Sequence, residues 1–157
     1  MKKYVITLLV ALFSACDSNK VFEENIALEN HIWNLENRVK FQVEIMDTTA
    51  EMNLFVNIRH SAHYPFSNLW IFLITANPKG EISADTLECI LAAKDGKWLG
   101  SGLGDIWDIQ IPFKTQVFNS PGDYIFEIEQ AMRYGDQARI EQLPEIMDIG
   151  LRIEKKK

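Results

Sequence analysis

The chain has 157 residues, 47% of them apolar and 24% charged, which is enough for one globular domain with its own core. That composition excludes a disordered tail, a collagen and a multi-domain enzyme. Sixteen basic residues against 22 acidic ones give a net charge of −6, so a sequence-independent grip on phosphate backbones is excluded and no nucleic-acid partner is expected. The two cysteines, Cys16 and Cys89, allow one disulfide at most, and Cys and His are too few for a structural zinc cage.

The chain opens with Lys2 and Lys3, continues through the apolar run 4–13 and reaches the small residues Ser14 and Ala15 directly before Cys16. A basic start, a short apolar stretch and small residues are the layout of a secretory signal peptide. The run is shorter than the roughly 20 apolar residues that a spanning helix needs. Small residues followed at once by Cys16 resemble the lipobox of bacterial lipoproteins, in which the cysteine thiol is diacylated and the chain is cut before it. The alternative is an ordinary secretory signal cut near Ser14 or Ala15, with Cys16 free or paired to Cys89. Cleavage before Cys16 removes 15 of the 157 residues and leaves 142, and the loss of Lys2 and Lys3 takes the net charge from −6 to −8. Acyl chains contribute about 0.8 kcal/mol per buried methylene, so the membrane is an expected partner through lipid, not through protein charge. Cys89 is then left alone in an apolar stretch, where a thiol behaves as a small buried hydrophobe.

Residues 16–30 read as a tether, since Asp17, Ser18, Asn19 and Lys20 are short or charged. The folded domain is expected at 31–157, with order beginning near His31, Ile32 and Trp33. Beyond that point the period is two. Val39, Phe41, Val43 and Ile45 alternate with Lys40, Gln42 and Glu44, as in a half-buried antiparallel strand. Leu54, Val56 and Ile58 repeat the pattern, with Phe55 outward, after a hairpin-sized connection of turn-prone residues at 47–51. Residues 69–74 are apolar at every position and predict a central strand covered on both faces. Further strands are expected at 82–91, 109–118, 124–129 and 147–154, and one short helical turn between Asp136 and Leu143. Seven or eight strands without an amphipathic helix predict an all-β domain, a two-sheet antiparallel sandwich of immunoglobulin-like or jelly-roll topology. Gly122, Asp123, Tyr124, Ile125 and Phe126 resemble a tyrosine corner, with Trp70 as the expected core aromatic opposite.

Chemistry is sparse. His60 and His63 lack a third ligand at a recognisable spacing, so no metal is expected. The glycine-rich stretch at 100–105 lacks the ending of a phosphate-binding loop, and Asp95, Asp105 and Asp108 around it do not follow the EF-hand pattern. Cys89 sits in surroundings that raise a thiol pKa, and Glu127 with Glu129 make the wet face of a strand. No reaction, cofactor or small-molecule ligand is selected, and the chain is not expected to be an enzyme. Tyr64, Phe66, Trp98 and Trp107 are aromatic residues in predicted loops. They either cap the ends of the core or form a partner-binding patch.

Several blocks together carry a likeness: Trp33 and Asn34; Asn57, Ile58 and Arg59; Tyr64, Pro65, Phe66, Ser67 and Asn68; Asp95, Gly96, Lys97 and Trp98; the block 126–133; and the block 147–154. With the lipobox, these resemble the GldH family of gliding-motility lipoproteins of the Bacteroidetes. The resemblance implies an envelope lipoprotein required for surface gliding and linked to type IX secretion and motility machinery, placed in the outer rather than the inner membrane. It assigns no catalytic residue and matches its lipidated cysteine to Cys16. A carbohydrate-binding sandwich that stacks sugars on Trp98, Trp107 and Tyr64 is the alternative from a different class.

Overall fold

The computed structural model describes residues 18–157; the expected leader 1–15 and Cys16 lie outside the described residues. From Lys20 onward most of the chain is extended: β1 (Lys20–Ala27), β2 (Ile32–Asn34), β3 (Val39–Ile45), β4 (Met52–Ser61), β5 (Asn68–Ala76), β6 (Ile82–Ile90), β7 (Ser101–Leu103), β8 (Ile106–Gln116), β9 (Gly122–Gln130), β10 (Gln142–Pro144) and β11 (Ile146–Lys155). One sheet has the order β1-β11-β4-β8-β7, the other β3-β9-β5-β6, and β10 with β2 makes a two-stranded ribbon. All these pairings are antiparallel. The two larger sheets enclose one core, which is the sandwich the alternation predicts.

β3 shows the cause most simply. Val39, Phe41, Val43 and Ile45 are buried, and Lys40, Gln42 and Glu44 between them are exposed. Leu54, Val56 and Ile58 of β4 and Ile149, Leu151 and Ile153 of β11 supply the facing rows. Each such side chain contributes about 1.5–3 kcal/mol on leaving water. The tyrosine corner is present as expected: the Tyr124 hydroxyl donates to the Ser120 carbonyl at 3.0 Å, and Phe126 is buried two residues on.

Order starts earlier than the sequence predicts. Residues 20–27, read as tether, form β1, which pairs with β11 from Lys20 opposite Glu154 to Ala27 opposite Asp148. As an edge strand it gives the core only Val21, Phe22 and Ile26, too few apolar residues to read as a strand. At 47–51 the turn chemistry forms, with Asp47 Oδ1 accepting from the Thr49 and Ala50 amides at 3.0 and 3.1 Å. No hairpin results, because β3 pairs with β9 while β4 pairs with β11 and β8, so the turn carries the chain between layers.

β5 is central in its sheet, but only its Leu69, Ile71 and Leu73 face is buried. Trp70 faces outward and is 39% exposed, so it is not the core tryptophan. That place belongs to Trp33, whose indole N–H donates to the Asn37 carbonyl at 2.8 Å, so the fully buried ring keeps its polar atom satisfied. The helical turn expected between Asp136 and Leu143 does not form; its C-terminal residues enter β10, where Leu143 lies opposite Trp33.

Candidate functional site

Three of the four expected aromatic residues gather at one end of the sandwich. Tyr64 is buried and donates its hydroxyl to the Asn68 carbonyl at 3.0 Å. Its ring centroid lies 5.7 Å from Phe66 and 5.9 Å from the buried His60 imidazole, which in turn lies 4.6 Å from Trp98. Trp107, on β8, is the cross-strand partner of His60 and lies flat against Gly102, where a Cβ would stand 2.7 Å from the indole. With Tyr64 inside, a sugar-stacking platform of Tyr64, Trp98 and Trp107 is not presented to solvent.

The glycine-rich stretch is a hairpin. Gly104 takes φ +62 at the first position of the two-residue turn between Leu103 and Ile106, a conformation that suits glycine in tight hairpins. The acids around it go separate ways: Asp95 accepts from the Lys97 amide at 3.1 Å, and Asp108 holds Arg59 at 2.7 Å. That ion pair pushes the Arg59 pKa up. His60 points into the core and His63 is exposed; among the described residues no group of three His, Cys, Asp or Glu side chains stands ready for a metal. His60 Nδ1 sits 2.9 Å from the Ser61 carbonyl, which fixes the proton there and leaves Nε2 buried without a partner. Burial therefore lowers the His60 pKa. Burial, with the nearby Glu88 charge, pushes the Cys89 thiol up to about 12, the reverse of a nucleophile's environment. Glu127 and Glu129 pair with Arg38 at 3.4 Å each, the wet face expected of them.

A different surface stands open. On the outer face of β5, Trp70 and Phe72 floor a groove of about 470 Å³, walled by Met132 and Arg133 and closed at one end by Phe66 and Tyr134. The Phe66 and Tyr134 rings meet edge to face at 5.8 Å, and Tyr134 is 69% exposed. β5 and the segment after β9 hold this shape together: the Trp70 carbonyl accepts from the Ala131 amide at 2.8 Å, and the Trp70 amide points at Met132 Sδ at 3.2 Å.

Comparison with known proteins gives the lineage. The family model for the GldH lipoprotein matches residues 20–153. The chain belongs to the GldH lipoprotein family. A protein of Christiangramia forsetii named a gliding motility lipoprotein GldH homolog is 36% identical over 154 residues, covering 97% of this chain and 94% of its own length. The gliding motility lipoprotein GldH of Flavobacterium johnsoniae is 35% identical over 153 residues, covering 97% of this chain and 95% of its own.

Of the groove residues in this GldH-family chain, the sequence marks Phe66 alone as a partner-contact candidate, and it points Trp70 to the core instead. The signal for the others was present. A two-sheet sandwich without helices leaves every strand one face that nothing covers, so alternate members of the apolar run 69–74 had to face outward.

Proposed function

We propose that this chain is a non-enzymatic lipoprotein of the cell envelope, anchored by lipid on Cys16, that serves gliding motility as an assembly or stability factor for the type IX secretion and motility machinery. The observation that carries the reading is the GldH-family match across residues 20–153, joined to a leader whose small residues end directly at Cys16. The family context favours the outer membrane. β1 begins at Lys20, so three residues separate Cys16 from the first strand and the sandwich sits close to its anchor. Its work is then done through side-chain surfaces near the bilayer, where partners diffuse in two dimensions.

The test is Cys16→Ala in the protein's own cells. The expected result is a folded protein released from the membrane fraction, with gliding or type IX export abolished. Wild-type motility and export from the released protein would overturn the anchored role.

A further inference from the structure

We infer that the groove over Trp70 and Phe72 is the docking site for an acidic, apolar segment of a protein partner. The inference rests on the proposed role in protein contacts and adds where the contact is made and by what chemistry.

In a two-layer sandwich the outer face of an antiparallel sheet is normally polar. β3 and β9 follow that rule, with Arg38 bound to Glu127 and Glu129 and Lys40 reaching Glu127 at 3.7 Å. β5, in the same sheet, sets Trp70, Phe72 and Ile74 on that face instead. A contiguous apolar groove with exposed rings is the mark of a contact surface, and tryptophan, tyrosine and arginine are the residues that most often anchor one.

Charge gives the partner its sign. Arg133 lines the groove, and the Arg139 guanidinium lies over the Phe72 ring, 5.8 Å from its centroid. Neither has an ion-pairing carboxylate among the described residues, whereas Arg38 and Arg59 both do. In a chain of net charge −6, two guanidiniums that hold no carboxylate among the described residues, set beside partly exposed rings, complement carboxylates flanking an apolar side chain. A sugar is a poorer occupant. Its hydroxyls need partners when buried, and the Asn68 amide at the groove is already given to Glu88 at 2.6 Å. A second copy docking groove to groove would set Arg133 and Arg139 against their own images. Pairing along the β6 edge would bury Asp85, which faces inward there and holds Lys114 at 2.8 Å. The segment therefore lies across the sheet face.

The test replaces Tyr134 by the photo-crosslinking residue benzoylphenylalanine in the full chain, expressed in its own cells, with the cross-linked peptide read by mass spectrometry after irradiation. The expected product joins position 134 to a net-negative segment of another protein that carries aromatic or aliphatic residues. Adding Arg133→Glu and Arg139→Glu should cut its yield at least tenfold, while Lys79→Glu, in the turn at the far end of β5, leaves it unchanged. Adducts to a second copy or to a basic segment, no protein adduct, or a yield indifferent to the arginine reversals would each overturn the inference. If the groove fails while Cys16→Ala behaves as expected, the anchored role survives and the contact lies elsewhere.

Discussion

On the outer face of the five-stranded sheet polar side chains answer one another, whereas along β5 of the opposite sheet Trp70, Phe72 and Ile74 turn apolar side chains outward. Gln110 donates to Asn57 at 2.9 Å, Asn57 to Asn25 at 3.3 Å, Arg59 spans Asp108 and Asp148 at 2.7 and 3.4 Å, and Arg152 joins Glu23 to Glu154 at 2.9 Å each. Even Gly150 serves this lattice, because a side chain there would collide with Asn25. Both sheets obey the same in-out alternation, so the difference lies in what each face must meet. A polar lattice closed on itself is finished by water; exposed rings beside arginines that hold no carboxylate among the described residues are what the proposed docking site is built from. In the proposed reading, lipid sets where the protein stays and the open face is what it has left to bind.

Neighbouring residues on opposite faces of one strand break or sharpen this contrast most directly. Ile71→Ala should lower stability by about 2–5 kcal/mol in urea unfolding, the cost of a core cavity. Phe72→Ala should cost less than half as much, and equal losses would mean that the outer face is packed like a second core. On β4 the pair is Arg59 and His60. His60 is held below its ordinary value of 6.5 by burial, so between that value and the lower folded one the unfolded chain takes up a proton that the folded chain refuses. Stability should therefore fall as pH drops below about 6.5, by up to about 1.4 kcal/mol per unit, and level off once the folded form also protonates. His60→Phe should flatten that limb in urea midpoints compared at pH 7.5 and 5.5. Tyr124→Phe removes the corner hydrogen bond to Ser120 and should cost about 1 kcal/mol by the same assay. The smallest effect is expected from Arg59→Ala: its exposed ion pairs are worth about 0–1 kcal/mol and should weaken further when salt is added.

The strands that line the core were legible because burial on one face writes itself as period two, as β3 and β11 show. The tyrosine corner was legible because its hydrogen bond is local. What the alternation does not carry is the pairing partner. Residues 47–51 have the same turn chemistry whether they close a hairpin or cross between sheets, and Asp47 caps the turn either way. β1 was hidden because an edge strand buries one side of a short stretch and spends the rest on water. The groove is hidden for the opposite reason: an apolar residue on an outer face looks like core in the sequence, so Trp70 reads as the buried tryptophan that Trp33 in fact is. Tyr134 and Arg139 belong to a segment without periodicity, and only the packing of that segment beside β5 brings them to the site.

The contrast between faces is tested most directly by replacing the native copy with Trp70→Ser/Phe72→Ser in one strain and Asn57→Ser/Gln110→Ser in another. Gliding and type IX export are then measured at equal membrane levels of folded protein. The expected result is loss of gliding or export in the first strain and retention of both in the second. Wild-type behaviour of the first strain, or loss confined to the second, would contradict the assignment of the open face as the working one.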